Sequence, residues 1–195
     1  MTSTHAWTEI KLLPSKSYVC GYCGNPLASE KGWSALEHAL GKHNWFIYVC
    51  HYCDRPTFFD NAGHQTPGAI FGNPVKDIPD QLVSELYDEA RRATSVNSYT
   101  AAVLSCRKLL MHVAVSKGAK HGEDFLYYVQ YLADHHFIPP DAKGWVDQIR
   151  TKGNEANHQI KIMTKEDAEE LISFVEMLLK VIYEFPARVK PKSPT

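Results

Sequence analysis

The sequence predicts an α+β protein in which a small β-rich ribbon at the N-terminus precedes an all-α antiparallel helical bundle. Two observations carry this expectation. Paired C-x-x-C motifs, Cys20-Gly21-Tyr22-Cys23 and Cys50-His51-Tyr52-Cys53, bracket the strand-like run Trp45-Phe46-Ile47-Tyr48-Val49. Beyond residue 80 the apolar residues recur at helical spacing. Between the two regions turn-forming residues crowd together in Asp60-Asn61-Ala62-Gly63, Thr66-Pro67-Gly68, Gly72-Asn73-Pro74 and Ile78-Pro79. The expected organisation is a ribbon over residues 1–60, a connector over 61–79, a bundle over 80–187 and a disordered tail over 188–195.

Each helix is read from its apolar stripe. Leu82, Leu86, Ala90 and Ala93 mark a helix over residues 80–93. Ala102, Cys106, Leu109, Leu110 and Val113 mark a second over 98–117, with Gly118 as its stop. Phe125, Leu126, Val129, Leu132 and Ala133 mark a third over 123–136, closed by Pro139-Pro140. A short helix is expected over 141–149, interrupted near Gly153. The last helix has the longest stripe, from Ala168 through Leu171, Ile172, Val175, Leu178 and Leu179 to Ile182. Thr164 and Asp167 form its capping box, with Asp in place of the usual Glu or Gln, and Pro186 is expected to end it.

Charge and hydropathy narrow the function classes. Lys plus Arg total 21 against 22 Asp plus Glu, with six of each before Ile78. Neither half carries the positive excess expected of a domain that grips long stretches of nucleic-acid backbone, because such binding rests on phosphate neutralisation. No apolar run approaches the roughly 20 residues that span a bilayer, so the expectation is a cytoplasmic protein without membrane contact.

The cysteine pairs, separated by 26 residues, carry the strongest chemical signal. Each C-x-x-C sets two thiolates on a tight turn, and two such turns complete a tetrahedron, so Cys20, Cys23, Cys50 and Cys53 are expected to hold one structural Zn²⁺ ion. Gly24 suits the positive φ that lets backbone amides face sulfur, whereas Asp54 at the matching place tolerates it less well. A redox pair or two disulfides are the competing readings. The first belongs beside a βαβ unit, and the second to an oxidising compartment. His38, His43 and His51 are potential replacements for a sulfur, but four thiolates suffice and leave no open coordination position. Cys106 lies on an apolar stripe and reads as a buried small hydrophobe rather than a reactive thiol. His135-His136 reads as surface.

One polar segment interrupts the bundle, running from Ile149 to His158. Arg150, Asn154 and His158 are spaced by four and would share one side of a helix, although Gly153 weakens it. Two readings stand. In one, Arg150 or Lys152 binds phosphate, His158 acts as acid or base, and Asn154 orients one of them. In the other the segment is a helix joint, with Asn154 and His158 tying backbone groups across the bundle.

The run from Ser98 to Leu110, then Trp145-Val146-Asp147-Gln148-Ile149-Arg150, Gly153-Asn154, His158, Glu166-Asp167-Ala168 and Phe174 to Leu179 resembles the prokaryotic domain of unknown function numbered 4145, over about residues 80–187. That family is similar to the HEPN superfamily of helical domains from restriction, toxin and antiviral systems. The resemblance implies a helical, often dimeric domain, in some members a metal-independent ribonuclease. There an Arg would stabilise the phosphorane charge, and a His separated from it by four to six residues would move protons. Here seven residues separate Arg150 from His158, and five separate Lys152 from it.

The function expected from these observations is a non-catalytic binding module that recognises a partner protein or nucleic acid, RNA included, in prokaryotic or phage conflict, with homodimerisation through the helical domain. A dimeric endoribonuclease using Arg150, Lys152, Asn154 and His158 is the alternative, and a structural scaffold subunit the second.

Overall fold

A computed structural model describes residues 7–37, 41–139, 144–146, 149 and 162–189; of Glu37, Lys42 and His43 it describes the backbone. The chain divides into two compact units, Met1–Ile70 with Ser95–Asn97 and Phe71–Thr94 with Ser98–Thr195. The protein is therefore α+β, with an antiparallel sheet followed by helices.

In the first unit β1 (Lys11–Val19), β2 (Pro26–Glu37), β3 (Lys42–Val49), β4 (Pro56–Phe59) and β5 (Gln65–Thr66) pair in chain order as an antiparallel meander. The register shifts between Leu12 and Lys16, a stretch holding Pro14. Proline has no N–H for a ladder and is at home on an edge strand. Its carbonyl instead accepts the Tyr48 hydroxyl at 2.9 Å. β2 and β3 approach so closely at Gly32 that a Cβ there would stand 1.8 Å from the Ile47 carbonyl oxygen, so no other residue fits.

Cross-strand partners share a face of the sheet. Gly32, Tyr48 and Thr57 align on one face, where Leu13, Tyr18, Leu27, Tyr48 and Phe59 form a small buried core with Cys20 and Cys50. The Tyr18 and Phe59 rings meet edge to face at 5.2 Å. Trp33, Ile47 and Phe58 align on the opposite face.

The second unit is built from α1 (Gln81–Ser95), α2 (Tyr99–Ser116), α3 (Phe125–Asp134) and α4 (Lys165–Leu179). The capped starts follow the sequence. Asp124 accepts the Tyr127 amide at 2.8 Å. The Thr164 hydroxyl and Asp167 carboxylate exchange backbone hydrogen bonds as a complete capping box, an arrangement that contributes about 1 kcal/mol. α2 packs against both α3 and α4 and accordingly buries more than one stripe, from Ala102 and Val103 to Val113 and Ala114. Among the described residues no helix is long and apolar enough to cross a membrane.

Three local expectations need correction. In α1 the buried stripe is Val83, Tyr87, Ala90, Arg91 and Thr94, whereas Leu82 is 71% exposed. The helix is turned by its amphipathic residues. The Tyr87 hydroxyl donates to the Asn73 carbonyl at 2.9 Å, and Arg91 Nη2 to that of Gly72 at 2.9 Å. At the C-terminus Pro186 does not end the helix. α4 passes into a π-helical turn, Lys180–Glu184, and then α5, Phe185–Val189. The Phe185 amide reaches back to Lys180, five residues away. The widened turn supplies the room that a proline ring lacks in a regular α-helix. Arg188 and Val189 thus stand in a helix, with Arg188 paired to Glu184, instead of opening the tail. Of the short helix expected over 141–149, residues 144–146 and 149 are helical and the rest lies outside the described residues.

Glu176 of α4 clasps the stretch before α1. Its carboxylate accepts the Asn73 amide at 2.8 Å and the Asn73 side-chain amide at 3.0 Å, and pairs with Lys180. Burial pushes this carboxyl upward, but the Lys180 ammonium and the Asn73 donors outweigh it and hold the pKa below the ordinary glutamate value. Because the folded-state pKa lies below the unfolded one, the stabilisation is present above the unfolded value and is lost as pH falls through the folded one. Glu176→Gln should therefore cost about 1–2 kcal/mol at neutral pH. Urea denaturation followed by far-ultraviolet circular dichroism should show that gap closing in acid, and a gap unchanged across the titration would contradict the clasp.

Candidate metal centre

The meander brings the cysteines together. In an antiparallel up-and-down sheet, the first and third connections fall at the same end. Those connections are residues 20–25, between β1 and β2, and residues 50–55, between β3 and β4. The two turns are built alike. In the first, the Cys20 amide donates to the Asn25 carbonyl at 3.0 Å and the Gly24 amide to the Cys20 carbonyl at 2.9 Å; in the second, Cys50 donates to Arg55 at 3.0 Å and Asp54 to Cys50 at 2.8 Å. The matching fourth positions both have positive φ, 72° at Gly24 and 55° at Asp54. Aspartate is among the few non-glycine residues that visit this region, so it serves where glycine was the safer expectation.

The four sulfurs of Cys20, Cys23, Cys50 and Cys53 lie within 4.8 Å of one another, with Cys20 to Cys53 at 3.7 Å and Cys23 to Cys50 at 3.8 Å. Tetrahedral thiolates about 2.3 Å from a common zinc would stand about 3.8 Å apart, so the donor set and its spacing fit that ion. A disulfide would need sulfurs at about 2.05 Å, and all five cysteines are free. Cys20 and Cys50 are wholly buried, while Cys23 and Cys53 are half-buried.

Donors surround the sulfurs as a thiolate cluster requires. The Tyr22 amide approaches Cys20 Sγ at 3.5 Å, and the Asn25 side-chain amide approaches Cys23 Sγ at 3.5 Å. Burial lifts the Cys50 and Cys53 thiols above the ordinary cysteine value. At Cys23 burial also acts upward, but the Asn25 amide and the neighbouring sulfurs outweigh it and leave the value lowered. The Arg55 guanidinium lies 5.1 Å from the centre of the Tyr22 ring, linking one turn to the other. Trp7 Nε1 donates to the Asp54 carbonyl at 2.8 Å while its ring meets Trp33 edge to face.

The histidines considered as substitutes divide in two. His51 sets its ring 4.4 Å from that of Tyr52 and is outside the four-sulfur group. His38 and the His43 side chain lie outside the described residues. Cys106 is wholly buried in α2, where burial pushes its thiol up to about 12. His135 is an exposed residue stacked on Tyr131 at 3.9 Å. Arg150, Lys152, Asn154 and His158 lie outside the described residues. A charged residue that pattern reading passed over is Arg107, buried in α2. Its letter gives no sign of this, because Lys108 beside it is an equally ordinary helix cation and is exposed.

Residues 88–193 match the family described as a domain of unknown function, DUF4145. No curated protein matches the chain, and no solved structure does.

The two positive-φ positions make the turns separately testable. Gly24→Ala should destabilise the ribbon by about 1 kcal/mol, while Asp54→Gly should leave it unchanged or slightly more stable. Thermal unfolding followed by the near-ultraviolet signal of the Tyr18, Tyr48 and Phe59 cluster reads both. Equal losses in the two variants would show that the left-handed positions are not what shapes the turns.

Proposed function

The chain belongs to the DUF4145 family, which its match over more than half its length establishes, and from that premise we propose that it is a non-catalytic recognition module. Cys20, Cys23, Cys50 and Cys53 hold one structural Zn²⁺ that shapes the ribbon, and ribbon and helical domain together recognise a partner protein or RNA in prokaryotic or phage conflict. The cluster of four sulfurs within 4.8 Å carries this reading. Four thiolates saturate zinc and leave no place for a reacting water, so the metal serves folding. Free thiols at such spacing suit a reducing compartment, which supports a cytoplasmic setting.

The face of the sheet opposite the cysteine core supplies a surface for recognition. Trp45 meets Phe58 at 5.5 Å and Trp7 meets Trp33 at 5.4 Å, while Trp7 and Trp45 are exposed. Large aromatic side chains give contact area at small entropic cost, which suits a binding face. The even charge balance of the chain speaks against a role that depends on gripping long polynucleotides. Homodimerisation through the helical domain belongs to the same reading.

Metal analysis of the purified protein should return about one zinc per chain, and Cys23→Ser should lose both the metal and the ordered ribbon. A metal-free protein with a folded ribbon would remove the metal half of the proposal. The non-catalytic half is tested on a panel of RNAs, transfer RNA included, incubated with chelator present. The panel should stay intact; cleavage leaving 2′,3′-cyclic phosphate ends and abolished by His158→Ala would establish the ribonuclease instead.

A further inference from the structure

Three charged side chains are buried among the described residues: Arg91, Arg107 and Glu184. Two have charged partners. Arg91 pairs with Asp88 at 2.9 Å and also donates to the Gly72 carbonyl. Glu184 pairs with Arg188 and accepts the Lys76 amide at 3.0 Å. Arg107 is 4% exposed, and among the described residues no carboxylate pairs with it. Its Nη1 is fully enclosed without a hydrogen-bond partner. Its guanidinium lies over the face of Phe125, 4.2 Å from the ring centre, at the first residue of α3.

A guanidinium keeps its proton at any ordinary pH, so it cannot escape burial by becoming neutral. Burial lowers the Arg107 pKa, and no anion among the described residues raises it in return. Buried charges in proteins are paired or bound to ligand, because the interior supplies neither water nor counter-ion. A ring face attracts the cation but accepts none of its five fork-shaped N–H groups. The acceptor that fits the fork is a pair of oxygens on one anion, as a phosphate presents.

We propose that Arg107 is the anchor of an oxyanion site in the helical unit, and that its ligand carries a phosphate group. Phe125 holds the guanidinium plane in place through its ring, and α2 and α3 position the two residues. The phosphate comes either from a small phosphorylated molecule or from the diester backbone of a nucleic acid. The proposal is independent of the zinc assignment, since the site lies wholly within Phe71–Thr94 and Ser98–Thr195.

The test uses the full chain with its arginine side chains observed by ¹⁵N NMR, Arg107 being assigned through its own backbone amide. Inorganic phosphate is one probe, and a short oligonucleotide with hydroxyl ends, which offers diesters alone, is the other. A shift and slowed rotation of the Arg107 guanidinium with phosphate supports a small phosphorylated ligand. The same response with the oligonucleotide alone supports a nucleic-acid backbone. In Arg107→Lys, which keeps the charge and loses the fork, binding of the responsive probe should be roughly tenfold to a hundredfold weaker. If neither probe moves the Arg107 resonances, or if wild type and Arg107→Lys bind equally, the site does not exist. A guanidinium already held rigid before any probe is added, and unmoved by both, overturns the proposal in favour of a carboxylate from the chain itself.

Discussion

Four sulfur atoms converging at one end of a five-stranded meander are the constraint on which the first unit rests. Its buried core amounts to a few side chains, with Tyr18, Tyr48 and Phe59 supplying most of the volume. A core of that size does not offset the conformational entropy of ordering some 60 residues. Structural zinc bound by thiolates supplies about 10–16 kcal/mol of apparent binding free energy in small domains, so a metal at this place would decide whether the ribbon folds. The remaining features serve the same end. The matching turns present their amides to sulfur, Gly32 lets two strands close up, and Arg55 over Tyr22 ties the two turns together.

The helical unit solves a different problem. Its apolar core is large enough to stand on burial alone, and its specificity lies in a few polar groups placed inside it. Glu176 gathers Asn73, Lys180 and the neighbourhood of Tyr87, and Glu184 sits at the end of the π-turn with Lys76 and Arg188. These contacts fix the path of the stretch before α1 by satisfying groups that the core would otherwise leave unpaired. Arg107 breaks the pattern, since its charge is taken inside without such a partner among the described residues. Among the described buried charges, Arg91 and Glu184 have charged partners and Arg107 has none.

Much of this is legible in the sequence. The four cysteines, the strand running into Cys50, the capping box at Thr164, the stop at Gly118 and the approximate spans of four helices follow from local pattern, and each is a property of residues close in the chain. In α1 Ala90 is buried and Leu86 and Ala93 pack against the core as their spacing predicts, but Leu82 is exposed, and the inward face is completed by Tyr87 and Arg91, whose polar ends find backbone carbonyls before the helix. Pro186 reads as a terminus because a proline is incompatible with a regular α-helix, and only the preceding π-turn makes room for it.

The sequence by itself determined which residues make the cysteine turns and about where α1 to α4 begin, since C-x-x-C geometry, caps and periodicity act over a few residues. Only the tertiary structure decided that the two turns fall at the same end of one sheet with their sulfurs within 4.8 Å. It alone also decided that Arg107 lies beneath the surface while Lys108 beside it stands in solvent. Both outcomes depend on pairing and packing between segments distant in the chain. Strand order and helix orientation set them, and no local spacing contains either.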